Sequence, residues 1–138
     1  MSGLNCLAEP TGIITMSISP PTEPGAIPSV SDRFAHILSA IGTVQEQLHG
    51  VSEEALASDR MRRLVLERLL EIISIASGHI PTNLRAVENV VDWQTIDDIG
   101  DRLENTRDRI ETHVLWTISQ HKLMPLKVCA ERHLRKSG

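Results

Sequence analysis

The sequence predicts an all-α protein, an antiparallel four-helix bundle behind a flexible N-terminal tail. Apolar residues recur at helical three-and-four spacing from Phe34 to the end of the chain. Aromatic residues make up only 2% of the 138 residues. The core must therefore come from Leu, Ile, Val and Ala, which suits helix-on-helix packing better than a sandwich. The alternation of a half-buried strand is missing except weakly at GIIT, residues 12–15.

Each element follows in order. Residues 1–30 hold five of the seven prolines and only two charges, Glu9 and Glu23, the composition of a flexible or loosely packed tail. Translation could also begin at Met16. The bundle is expected over 31–138. Phe34, Ile37, Leu38, Ile41, Val44 and Leu48 line one face of a first helix, with Ser31 or Asp32 as N-cap and Gly50 as stop. Ser52 caps a short turn, Glu53–Ala57. Asp59 caps a long second helix that ends at Gly78. Its apolar set, including Met61, Leu64, Val65, Leu66, Leu70, Ile73 and Ile75, is too wide for one face. Such a helix must be covered on more than one side, by the bundle and by a second subunit. After a helical turn at Thr82–Val87, Asp92 caps a third helix from Trp93 with the narrow stripe Ile96, Ile99, Leu103 and Ile110. It carries the polar stretch GDRLENTRDRIETH, residues 100–113. The fourth helix starts near Thr112 and runs through Leu115, Trp116 and Ile118, until Pro125 kinks or restarts it into the basic end AERHLRKSG.

Composition narrows the function. A net charge of −4 argues against a protein that coats nucleic acid, though it leaves room for a local basic site. Cys6 and Cys129 make neither a disulfide framework nor a metal finger, so a reducing cytoplasm is expected. No run reaches the roughly 20 apolar residues of a membrane span, and the start lacks the pattern of a signal peptide.

Three segments carry a family resemblance. RLVLERLLEIISIASGHIP (63–81) resembles the AVxRxLEIIGEAxxxLP segment of the HepT-like branch of the HEPN superfamily. VDWQTIDDIGDRL (91–103) is similar to its IPWxxIIGMRNxL, and VLWTISQHKLMPL (114–126) to its IVWxTIxxDLPxL. The resemblance covers roughly residues 32–128. It implies a homodimer of four-helix bundles with an endoribonuclease site shared between subunits, in a toxin–antitoxin pair with a minimal nucleotidyltransferase. It also implies catalysis without metal or other cofactor, by an Arg that stabilises phosphate charge and a His, four to six positions on, that moves protons. RNA is the implied substrate; neither DNA nor a membrane is expected as partner.

The motif itself is damaged. Trp93 and Trp116 stand 23 residues apart, as the two family tryptophans do, so the interval reads without gaps. That register puts Gly100 at the Arg position, Asp101 at the polar position, Asn105 at the His and Arg107 at the Tyr that often follows. A two-residue slip matches Ile99-Gly100-Asp101-Arg102 to the family's IGMR and restores Arg102 as a phosphate-binding residue, but Arg107 then occupies the His position. A literal match, Arg107, Asp108 and His113, lies later; on a continuous helix it would be displaced by ~12 Å. The chain has no Tyr, so control through the motif Tyr cannot operate in its usual form.

These features also have plain readings. Glu104 and Asp108 beside Arg102, Arg107 and Arg109 can be a solvated face with weak intrahelical pairs. His113, near the start of the fourth helix, is more often a surface or interface histidine than a base. His121, Cys129 and His133 have the residue types of a metal site, but on one charged helix their spacing is expected to be chance, and no metal is expected. Glu53–Glu54 and Asp97–Asp98 are adjacent and point apart. The expectation is a HepT-like protein whose ribonuclease activity is weak or lost; the alternative is a non-catalytic dimer that binds a nucleotidyltransferase, a nucleotide or RNA.

Overall fold

A computed structural model describes residues 28–105 and 110–137, and every element among them is helical. The expected Pro-rich tail lies, up to residue 27, outside the described residues. Helix α1 (Val30–Leu48) begins two or three residues earlier than the expected caps imply, because Ser29 and not Ser31 or Asp32 is its cap. The Ser29 hydroxyl accepts from the Asp32 amide at 3.1 Å while the Asp32 carboxylate accepts from the Ser29 amide at 3.0 Å, a reciprocal capping box. Asp32 therefore sits in the first turn, as an acid there should. The helix stops before Gly50, whose φ of +73° a side chain would strain.

The next elements follow their sequence signals. Ser52 caps α2 (Glu53–Ala57) and Asp59 caps α3 (Arg60–Gly78), each side chain accepting from a backbone amide three residues on. Pro81 precedes α4 (Thr82–Val87). The Asp92 carboxylate accepts from both the amide and the hydroxyl of Thr95 and so opens α5 (Trp93–Asn105).

One expectation is corrected in the second half, and a second gains its mechanism. The polar stretch 100–113 is not one helix: α5 is described as far as Asn105, residues 106–109 lie outside the described residues, and Ile110 is buried in non-helical backbone. Glu111 then caps α6 (Thr112–Thr117). The displacement of ~12 Å along a single helix accordingly has no basis here. Pro125 also acts before its own position. A π-helical turn, Ile118–Lys122, separates α6 from α7 (Leu123–Ser137), with the Leu123 amide reaching back to the Ile118 carbonyl. Pro125 has no amide for the His121 carbonyl, and widening the turn relieves the clash its ring would make there.

Helices α1, α3, α5 and the composite α6–π–α7 form the antiparallel four-helix bundle. α1 packs on α3 and α7, α3 on α5, and the π turn returns to α5. The core is aliphatic, as expected: Ile37, Ile41, Leu66, Leu70, Ile73, Ile96, Leu115, Leu123 and Leu126 are essentially inaccessible, with Phe34 the sole phenyl ring. α3 is split in burial as its wide apolar set implied. Leu66, Leu70 and Ile73 face inward, while Met61, Leu64, Val65 and Ile75 are exposed, Met61 by 67%. No helix among the described residues is long and apolar enough to cross a membrane.

Candidate functional site

The motif region begins where α5 crosses α3. Gly100 meets Ser74 so closely that a Cβ on residue 100 would overlap the Ser74 Oγ and Cβ. Both residues are buried. Only a glycine fits this crossing. Beside it opens a cleft of about 460 Å³ between α3, α4 and α5, walled by Glu71, His79, Arg85, Asp97, Asp101 and Glu104. Arg85 is committed within it: its guanidinium pairs with Asp97 at 2.8 Å and lies 4.7 Å from the centre of the Trp93 ring. The Trp93 indole N–H donates to the Arg85 carbonyl at 3.0 Å and the Glu88 carbonyl at 3.2 Å, which seats α4 against α5. Four carboxylates against one arginine make the cleft of a single subunit hostile to phosphate.

The sequence candidates are distributed as follows. Gly100 and Asp101 line the cleft. Asn105 is exposed, and its side-chain amide donates to the Asp101 carbonyl one turn back at 3.0 Å. Arg102 is half exposed and pairs with Glu111 at 3.2 Å, joining the end of α5 to the start of α6. Its amide and Arg102 together hold the Glu111 carboxyl below its usual value. Arg107 and Asp108 fall outside the described residues, so no geometry joins Arg107 to His113. His113 projects from α6 with 76% of its side chain exposed. Its ring nitrogens meet Glu53 at 3.0 Å and Thr117 at 3.5 Å. It is tied to α2 and is not among the residues of the cleft. Glu53 and Glu54, like Asp97 and Asp98, serve separately: Asp98 accepts from Gln94 while Asp97 holds Arg85.

A second polar cluster was only half visible in the sequence. Cys129 and His133 do meet, one turn apart on α7, but the third member is Glu88 from the connection after α4 and not His121. Glu88 is 8% exposed. Its carboxylate accepts from Arg132 at 2.9 and 2.6 Å and lies 3.0 Å from His133 Nε2. His133 stacks on Phe34 at 4.7 Å. Nothing local marks Glu88, which lies 41 residues before Cys129. A clue was available only in hindsight, as a lone acid in an otherwise uncharged run, AVENVV.

The Arg132 hydrogen bond holds the Glu88 carboxyl below its ordinary value of 4.5, against the opposing effect of burial and with help from His133. A depressed carboxyl stabilises the fold fully above its unfolded value and loses that contribution as pH falls through the folded one. In EDTA, Glu88→Gln should therefore lower stability near neutral pH by about 1–3 kcal/mol, the cost of weakening a buried charged hydrogen-bond set. The deficit relative to wild type should shrink as pH falls below the ordinary carboxyl value of 4.5. Thermal unfolding across pH measures it, and a deficit that grows on acidification would refute the assignment.

Comparison with known proteins agrees with this architecture. The sequence model of the family described as Ribonuclease HepT-like matches residues 37–133, from within α1 to within α7. A protein of Thermococcus cleftensis named "Probable ribonuclease HepT" is 27% identical over 108 residues, which span 78% of this chain and 97% of that protein. No solved structure matches significantly. The aliphatic bundle, its pair of tryptophans and the match over most of its length lead to one assignment: the chain belongs to the HepT-like ribonuclease family.

Proposed function

We propose that the protein is a HEPN-type RNA-processing scaffold whose catalytic motif has lost its acid/base residue, and that it acts as the homodimeric partner of a minimal nucleotidyltransferase in a toxin–antitoxin pair. The observation that carries the register is the crossing of Gly100 on Ser74. An arginine at position 100 has no room there, whereas a glycine is required. The family pattern IIGMR places a glycine two residues before its Arg, so Gly100 takes the glycine's place and Arg102 the arginine's. Ser74 in turn stands where LEIIG has its own glycine, as a crossing of two small residues needs. The slip asks for two extra residues between Trp93 and Gly100 and two fewer before Trp116. It leaves Arg107 at the histidine position.

Arg102 suits a phosphate role. It is half exposed, and its Glu111 partner lies on the surface where salt and a competing phosphate weaken the pair. No group at position 107 exchanges protons near neutral pH, because an arginine stays charged. RNA cleavage by the purified chain in EDTA should accordingly lie close to background. Strong cleavage that His113→Ala abolishes would replace this reading with the later Arg107–His113 motif.

The exposed face of α3 supports the dimer. Met61, Leu64, Val65 and Ile75 form an uncovered stripe, and Ile75 also lines the cleft beside Gly100. Pairing two α3 faces would bring the two α5 ends toward one another and place an Arg102 from each subunit at a shared groove. Light scattering should give twice the 15.3 kDa chain mass. Leu64→Glu with Ile75→Glu should halve that mass while helical content persists. A wild-type monomer at micromolar concentration would defeat the shared groove.

A further inference from the structure

We propose that Glu88, Cys129 and His133 form a binding site for one divalent transition-metal ion, zinc by the chemistry of its ligands, that clamps the connection after α4 onto α7. The site is independent of the motif region and of the ribonuclease reading. Its carboxylate oxygen, thiol sulfur and imidazole nitrogen all lie within 4.8 Å of one another. In a tetrahedral zinc site with bonds of about 2.0–2.3 Å, such ligand atoms sit roughly 3.3–3.7 Å apart. Closing round an ion therefore asks for small rotations of three side chains already gathered in one place. Cys129 and His133 share a face of α7 at a four-residue spacing, which lets two side chains chelate one ion. Glu88 arrives from a different part of the chain, so the ion would join two segments that otherwise meet through side chains alone.

The surroundings fit an ion. Cys129 and Glu88 are buried, while the His133 side chain is 22% exposed, so solvent can supply a fourth ligand on that side. One thiolate and one carboxylate neutralise a divalent ion. Arg132 stays beside Glu88 as its outer hydrogen-bond donor and orients the carboxylate. Phe34 fixes the imidazole plane by stacking. Without metal, burial pushes the Cys129 thiol up to about 11, with the Glu88 charge adding to it, so the empty site holds a protonated thiol. Loading releases that thiol proton to solvent as the metal–sulfur bond forms. A thiolate with an imidazole and a carboxylate is a borderline-soft set, which suits zinc or cobalt and not magnesium or calcium.

The test uses the tag-free full chain carrying Cys6→Ser, so that Cys129 is its single thiol, stripped with chelator and titrated with cobalt and then zinc. One equivalent of cobalt per chain should bind with a thiolate-to-metal absorption band, and zinc should displace it and raise the unfolding temperature. Cys129→Ser should abolish the band. His133→Gln should weaken binding by more than the roughly 10–100-fold that losing an outer partner costs. His121→Ala should leave binding unchanged. A cobalt complex without the thiolate band, no stoichiometric binding at micromolar metal, or affinity that survives His133→Gln would each overturn the site. Should Cys129→Ser fail to fold by circular dichroism, the band in the Cys6→Ser protein decides alone.

Discussion

Arg107→His should raise RNA cleavage by about 10²–10⁴-fold over the wild-type chain, the range a positioned general acid or base contributes. The expectation follows from the register proposed above from the crossing of Gly100 on Ser74. Five residues after Arg102, the position that the family fills with a proton-transfer residue holds a permanent cation. The substitution supplies the missing titratable group and leaves Arg102 to stabilise the developing phosphate charge. Cleavage of a mixed RNA pool in EDTA, under single-turnover conditions, reads the gain. Two companion variants make the outcome specific. Asn105→His should give no such gain, because residue 105 belongs to the gapless register in which Gly100 would have to be the arginine. Arg107→His combined with Arg102→Ala should fall back to background, since proton transfer without charge stabilisation recovers little. A gain with Asn105→His alone would return the motif to the gapless register. No gain with either variant in a folded dimer would mean that the groove no longer presents RNA to α5.

The second large effect concerns stability, with a sign opposite to the usual rule. Replacing a helix-interior glycine by alanine ordinarily stabilises by roughly 0.5–1 kcal/mol. Gly42, inside α1 with open space about its Cα, should behave in that way. Gly100→Ala should instead destabilise by about 1–3 kcal/mol, because the new methyl group meets Ser74 and forces α5 away from α3. Gly100→Arg should fail to fold, so restoring an arginine at the gapless position cannot restore activity. Ser74→Gly removes both atoms that the methyl group would strike, and the double variant with Gly100→Ala should recover most of the loss. Chemical denaturation of the four proteins closes the cycle. A Gly100→Ala protein more stable than wild type would show that the helices do not approach closely there, and the register argument would fall with it.

Much of the helical layout was legible in the chain alone because it rests on short-range rules. Ser52, Asp59 and Asp92 cap helices within three residues of themselves, and Gly50 and Pro125 end or disturb helices through their own backbones. The periodic apolar faces were legible for the same reason, as was the surplus on α3 that the bundle leaves uncovered. The short-range rules erred where two choices were locally equivalent. Ser29 displaced Ser31 and Asp32 as cap because only Ser29 stands three residues before an acid able to answer its amide.

The sites divide along the same line. Residue types alone put Asn105 or Arg107, according to the register, where the resemblance expects a histidine, and three quoted segments pointed to the family. Tertiary structure decided three things that no local pattern records. Ser74 and Gly100, 26 positions apart, are recognised as a pair only when α3 and α5 cross. Ile110 looked like the next residue of a helical stripe, yet its place in the core follows a break in that helix. Glu88 joins Cys129 and His133 through the fold, whereas His121, nearer in sequence, faces solvent on the π turn. Spacing along a chain fixes direction only within one continuous element. Across a break or between helices, the packing of the core settles which side chains meet.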